Sequence, residues 1–130
     1  FAVLKDVSKT MVYQLCEYRN QMNRVIPERI IRRAPSAELR PDQTDQDTLP
    51  PYEILDAIIE AYVEKNFSPA EIIALNYNAS DVKKVIHLIH MNEYKRRQAP
   101  PGIRITQRDF GTAWHYPITS SYKVWSAIQR

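Results

Sequence analysis

Proline divides this chain into short helical segments, and that division constrains the fold more than any other feature. There are nine prolines against two glycines. A proline inside a helix removes a backbone donor and clashes with the preceding turn, and the residue before it disfavours helical geometry. Pro35, Pro100 and Pro101 therefore act as stops, Pro50 and Pro51 start the next helix, and Pro27 and Pro69 suit the first turn of a helix. What lies between them must pack as several short helices.

The apolar spacing agrees. Ser8 can cap a helix through Tyr18 or beyond, with Met11, Val12, Leu15 and Cys16 on one apolar face. A second helix, Pro27 to about Arg33, would turn Ile30 and Ile31 inward and its arginines outward. After Pro51, Tyr52, Leu55, Ile58, Ile59, Tyr62 and Val63 make an amphipathic stripe. "SPAE" from Ser68 reads as a capping box with proline at the first helical position; Ile72, Ile73 and Leu75 should be its buried side. Asn78 or Ser80 starts a last helix running from about Asp81 to about Arg96, with Val82, Val85, Ile86 and Ile89 as its core face. The tail from Gly102 alternates Ile103 and Ile105 with turn residues and aromatics and reads as extended and irregular. The chain is expected to be mainly α. Its core is modest for 130 residues, so several apolar faces call for a partner.

The single cysteine, Cys16, excludes an internal disulfide framework and favours a reducing cytoplasmic compartment; a buried structural thiol is its better reading. No apolar run approaches the roughly 20 residues that span a bilayer, so a membrane role is not expected. A net charge of +3 is too mild to argue for nucleic acid. With no glycine before Gly102, any glycine-rich phosphate loop must lie outside this chain. The first residue is Phe1, and a portion of a larger protein is expected.

Four features could carry chemistry. His87 and His90 share a spacing that can serve a metal, but nothing completes the set, and ordinary surface or half-buried histidines are the better reading. "NEYKRRQAPPG", Asn92 to Gly102, ends a helix with Lys95, Arg96 and Arg97. Helix-dipole complementarity explains such a cluster, and so does a clamp for an anionic ligand. Lys5 follows the opening apolar run, where it could meet a ligand or simply be solvated. Finally, "APSAELRPDQTDQDTLPPY", Ala34 to Tyr52, carries four prolines and four acidic residues. By composition it is a linker; its proline stops and dense hydrogen-bonding side chains also suit a working loop, with Ser36 as a turn cap or a phosphate donor.

Together, "KDVSKTMVYQLCEYRN", "IPERIIRRAPSAELRPDQTDQDTLPPYEILDAIIEAYVE" and "NEYKRRQAPPGIRITQRDFG" resemble the C-terminal part of glutamine-dependent NAD synthetases, in the family's order and to about Pro117. The stretch "TSSYKVWSAIQR" carries no such signature. The resemblance implies that residues 1–130 are the C-terminal, mainly helical portion of a Rossmann-like α/β synthetase domain of the ATP-pyrophosphatase (adenine nucleotide α-hydrolase) type. It implies an enzyme, a ligase that adenylylates deamido-NAD with ATP, with Mg2+ as activator, and then amidates it with ammonia. An N-terminal glutaminase domain would make that ammonia from glutamine, and the synthetase domains would form a symmetric dimer within a homo-oligomer.

By the same resemblance Lys5 and Ser36 contact ATP phosphates, and Tyr94 and Lys95 contact deamido-NAD. The acidic loop, with Asp42, Gln43, Asp45 and Asp47, is a lid over the active site, and 42–47 should be its least ordered part. No catalytic or metal-ligating residue is placed. The family's SGGxDS-type ATP loop, its "NKSE"-like magnesium segment and a glutaminase Glu-Lys-Cys triad have no counterpart here, and Ser8 stands where proline is common. The chain by itself is therefore expected to be inactive and to bind neither ATP nor deamido-NAD tightly. The rival reading is a basic helical module that binds RNA or an acidic partner through Arg32, Arg33 and Lys95 to Arg97; it lacks stacking aromatics and a strong basic excess.

Overall fold

A computed structural model describes residues 1–109, 111 and 113–122. Among the described residues there are six α-helices: α1 (Lys9–Met22), α2 (Glu28–Arg32), α3 (Tyr52–Ile59), α4 (Pro69–Ala74), α5 (Ala79–Met91) and α6 (Glu93–Gln98). Among the described residues there is no strand, only an isolated parallel bridge between Ala2 and Gly102. The chain is thus mainly helical, and the helices are short, as the prolines demand. It divides into two compact units, Phe1–Asp6 with Ala57–Arg130, and Val7–Asp56.

The first unit holds the core. Ile58, Ala61, Val63, Ile72, Val82, Val85, Ile86 and Ile89 are buried. The α5 face is the one its spacing predicts, and α4 packs against it. The start of α4 also follows the sequence: Ser68 Oγ accepts from the Glu71 amide at 3.3 Å, and Glu71 accepts from the Ser68 amide at 2.7 Å. Leu75 was expected inside with Ile72 and Ile73, but α4 ends at Ala74 and Leu75 stands 53% exposed. After Ile59 the chain widens into a π-helical turn, Glu60–Glu64, which still buries Ala61 and Val63.

The last helix does not run unbroken from Asp81 to Arg96. It stops at Asn92, whose side-chain amide donates to the Leu88 carbonyl at 2.8 Å, and α6 starts afresh at Glu93. Asparagine competes in this way for backbone groups that a continuing helix would use. The break lets Glu93 turn inward. The irregular tail is then stitched to the opening residues: Ala2 N donates to Pro101 O at 2.9 Å, and Asp6 Oδ2 accepts from Ile105 N, Thr106 N and Thr106 Oγ1, each at 2.8 Å.

The second unit is polar in its connections and nearly coreless. Ser8 caps α1, and Asp56 Oδ2 accepts from the Thr10 amide at 2.8 Å, so two orphan donors of the first turn are satisfied. Asn20 closes the α1–α2 connection by accepting from Val25 N and Ile26 N and donating to Ile26 O. The apolar faces foreseen for α1 and α2 exist as patterns but bury nothing fully. Met11, Leu15 and Ile30 are exposed, Ile31 and Cys16 half-buried. A pattern fixes which side of a helix is apolar; what covers it must come from elsewhere.

Candidate functional site

In the first unit, the C-terminal end of α6 meets the opening residues. A cavity of about 570 Å³ is lined by Lys5, Arg96, Arg97, Ala99, Pro101, Gly111 and His115. Two of these are guanidinium cations and one an ammonium; none is a carboxylate. Such a wall attracts an anion.

Lys5 is held in place. Its Nζ donates to the Pro100 carbonyl at 2.9 Å, so the double proline that stops α6 also presents an acceptor to the lysine. Both glycines of the chain lie against this side chain. A Cβ at Gly102 would come within 2.6 Å of Lys5 Cβ and 2.6 Å of the Ala2 carbonyl oxygen; one at Gly111 would come within 2.5 Å of Lys5 Cε. Neither glycine has a positive φ. They are there for space, not for backbone freedom.

The KRR cluster divides into three roles. Arg96 is buried, donates to the Ile89 carbonyl at 2.8 Å, pairs with Glu93 and lies 5.2 Å from the Trp114 ring centroid. Arg97 is exposed at the cavity wall, with Nε on Glu93 Oε1 at 2.9 Å and Nη2 on the Tyr116 carbonyl at 3.2 Å. Lys95 is exposed, with its ammonium 6.0 Å from the neighbouring Tyr94 ring, and it is not among the cavity-lining residues. Tyr94 is also exposed, at 45%. Dipole complementarity and anion clamping are therefore both available to this helix end, through different residues.

Glu93, at 1% exposure, is the hub that sequence reading missed. It pairs with Arg96 and Arg97, and His115 Nδ1 lies 2.9 Å from its Oε1. Burial pushes its carboxyl up, but hydrogen bonds from Arg97, His115, the Tyr116 backbone and Arg96 outweigh burial and hold it down to about 2. Its spacing of three and four residues to the two arginines was a usable signal. His115, 22 positions away, gave none.

His87 and His90 do not converge. His87 is exposed, while His90 bonds the Tyr62 hydroxyl at 2.8 Å and stacks on Tyr116 with centroids 3.8 Å apart. Burial, and then the charges of Arg96 and His87, push His90 down to about 4 against the pull of Glu93. The consequence has a sign. Below about pH 6.5 the unfolded chain takes up a proton that native His90 resists, so stability should fall as the pH drops from 6.5 towards 4 and be fully present above 6.5. With solvent screening allowed for, the loss should be on the order of 1 kcal/mol. Urea midpoints of the intact protein between pH 7 and 5 measure it, and His90→Gln should flatten the slope.

In the second unit, Ser36 Oγ accepts from the Glu38 amide at 3.0 Å, an ordinary turn contact. The acidic loop after it is more regular than its composition suggests. Asp45–Asp47 forms a single 3-10 turn, opened by Thr44, whose amide and hydroxyl both donate to the Asp47 carboxylate at 2.8 Å. Those two bonds hold the Asp47 carboxyl below its usual range. Asp45 N donates to Pro35 O at 2.9 Å, the Tyr52 hydroxyl donates to Asp45 Oδ2, and Gln43 Oε1 accepts from Leu39 N at 3.1 Å. The Tyr52 hydroxyl is pushed well above its ordinary value by burial and by Asp45. Glu38 and Asp42 take left-handed backbone, with φ of 53° and 55°. The expected least ordered stretch, 42–47, thus contains a hydrogen-bonded turn. Arg32 and Arg33, invoked for an RNA or acidic-partner module, sit in exposed pairs with Glu28 and Glu38.

Comparison with known proteins gives these features a setting. Residues 1–99 match the NAD synthase family. The chain is 55% identical over 122 residues to the glutamine-dependent NAD(+) synthetase of Aquifex aeolicus, covering 94% of this chain and 22% of that protein. It is 54% identical over 125 residues to the enzyme of the same name from Acinetobacter baylyi, covering 95% of this chain and 23% of that protein. The solved glutamine-dependent NAD+ synthetase of Acinetobacter baumannii, in complex with ADP, is similar in structure with a TM-score of 0.56 at 44% identity, over 95% of this chain and 21% of that one. The chain thus spans little more than a fifth of the length of these relatives. Matched over most of its length and closely similar to several such synthetases, this chain belongs to the NAD synthase family.

Proposed function

We propose that residues 1–130 form the C-terminal portion of the synthetase domain of a glutamine-dependent NAD synthetase. The rest of that domain and an N-terminal glutaminase domain belong to the same enzyme. The observation that carries this reading is the cationic cavity around Lys5, held by the Pro100 carbonyl and bounded by both glycines. In the reaction, a carboxylate oxygen of deamido-NAD attacks the α-phosphorus of ATP and pyrophosphate leaves. Ammonia derived from glutamine then attacks the acyl carbon and AMP leaves, giving NAD. Both steps gather negative charge, and preorganised cations stabilise it without reorganising.

In this reading Lys5 meets the ATP phosphates, with Ser36 as a second donor to them. Tyr94 and Lys95 hold deamido-NAD, the tyrosine offering a face and a hydroxyl and the lysine a mobile charge. The loop with Asp42, Gln43, Asp45 and Asp47 covers the site and excludes water, which would hydrolyse the acyl-adenylate. Its internal hydrogen bonds suit a lid that moves as one piece. Mg2+ would accompany ATP. Among the described residues no three His, Cys, Asp or Glu are gathered for a metal. No helix among those residues is long and apolar enough to cross a membrane. A cytoplasmic homo-oligomer, without nucleic acid or membrane as partner, completes the proposal.

The test is the reaction of the intact polypeptide with deamido-NAD, ATP and glutamine, followed by chromatography of NAD and AMP and an assay of pyrophosphate. All three should form in equal amounts, and Lys5→Ala should remove most of the turnover. Absence of NAD with both glutamine and ammonia as nitrogen source would refute the reading. Full activity of Lys5→Ala would remove the lysine from it.

A further inference from the structure

We propose that Arg97 is a further anion-contacting residue of the cavity, working beside Lys5, and that buried Glu93 is its positioning residue. The ligand class is a polyphosphate or its pyrophosphate product, and in that respect the inference rests on the functional reading above.

Arg97 lies in the last turn of α6 with its side chain 47% exposed. Left to itself, so exposed an arginine would sample many rotamers, an entropy of about 2 kcal/mol. Two bonds remove that freedom: Nε donates to Glu93 Oε1 at 2.9 Å, and Nη2 donates to the Tyr116 carbonyl at 3.2 Å. They use two of the five guanidinium donors. The side chain is one of the walls of the cavity, so it can fork onto phosphate oxygens there.

Glu93 can impose that orientation because it cannot move itself. It is 1% exposed, its other oxygen pairs with buried Arg96, and His115 Nδ1 sits 2.9 Å from the oxygen that Arg97 uses. Arg96 is in turn anchored to the Ile89 carbonyl at the end of α5. The direction of Arg97 is thus inherited from the core. The charge balance also fits. Arg97, paired with Glu93, brings its guanidinium charge to the same cavity wall as the ammonium of Lys5. Glu93 itself is buried and is not among the cavity-lining residues.

The experiment uses the intact enzyme and two readouts, the KM for ATP and the inhibition constant of inorganic pyrophosphate. Arg97→Gln should raise both by about tenfold, leaving the KM for deamido-NAD unchanged, and Arg97→Lys should recover only part of the loss because it restores charge without the fork. Glu93→Gln should shift the same two constants, and the double variant should be no worse than Arg97→Gln alone, because Glu93 acts through Arg97. Should Glu93→Gln fail to fold, Glu93→Asp keeps the charge, shortens the reach, and should still raise the KM for ATP. Unchanged constants in Arg97→Gln overturn the proposal. So do fully additive effects in the double variant, or wild-type constants in a folded Glu93 variant. Lys5→Ala run in parallel separates the two readings: if it leaves the KM for ATP unaltered while Arg97→Gln raises it, the Lys5 assignment fails and this one stands.

Discussion

Gly111→Ala in the intact enzyme should cost activity while leaving stability almost untouched. The new Cβ would stand 2.5 Å from Lys5 Cε and 3.0 Å from Nζ. Those atoms end a flexible side chain, so the lysine yields and the backbone does not. Its amino group must then leave the Pro100 carbonyl and the position it holds at the cavity wall. Displacements of about 1 Å in a positioned group can cost about 10²-fold, and a fall of that order in kcat/KM for ATP is expected. Gly102→Ala should behave differently. There the Cβ would meet the Ala2 carbonyl oxygen at 2.6 Å as well as Lys5 Cβ at 2.6 Å. Backbone must shift, and the Ala2–Pro101 bond that ties the opening residues down is strained. Overpacking of this kind costs about 1–3 kcal/mol, so this variant should lose both activity and melting temperature. Wild-type kinetics for Gly111→Ala would mean that the position of the Lys5 amino group does not matter to the reaction.

Lys95→Ala and Arg96→Ala, adjacent in sequence, should fail in opposite ways. Lys95 is exposed near the end of α6, where a cation contributes roughly 0.3–1 kcal/mol through the helix dipole. Its removal should barely move the melting curve. If it holds deamido-NAD, turnover should drop far more than stability. Arg96 is 9% exposed and pairs with Glu93. Its truncation leaves a buried carboxylate short of a partner, and breaking such a pair typically costs about 3–5 kcal/mol. Thermal melts beside steady-state rates decide both. An early-melting Lys95→Ala with full specific activity would take the lysine out of the ligand site.

The contrast between those two residues shows how far the sequence could be read. Three cations before a double proline announced a positive helix end, and one is there. Nothing local told Arg96, which points inward, from Arg97 at the cavity and Lys95 in solvent. That assignment depends on the break at Asn92, on Glu93 and on the segment from Trp114 to Tyr116. Helix starts were legible because a cap is a contact across two or three residues, as at Ser8 and Ser68, and at Asn78, one of the two starts that the sequence offered for α5. The α5 core face was legible because its partners are in the same unit. The α1 and α2 faces were not, since helical spacing marks an apolar side without specifying what covers it. Leu75 failed for a smaller reason: α4 ended one residue before it.

The acidic loop sits between these cases. Its proline ends could be seen, and its family resemblance suggested a lid. The Asp45 contacts to Pro35 and Tyr52 reach ten and seven residues away, beyond any local rule. They turn a stretch with a linker's composition into a closed loop with a defined turn.

By itself, then, the sequence determined the helical class, the breaks at proline, the caps and the NAD synthase kinship, because each of these is written in contacts or motifs a few residues long. Only the tertiary structure decided that the two glycines make room for one lysine, that Lys5 meets the end of α6, and that a single buried glutamate sorts the neighbouring arginines into one for the core and one for the cavity. Those facts join residues about 20 to 110 positions apart, and such contacts form only when a folded core brings distant segments together.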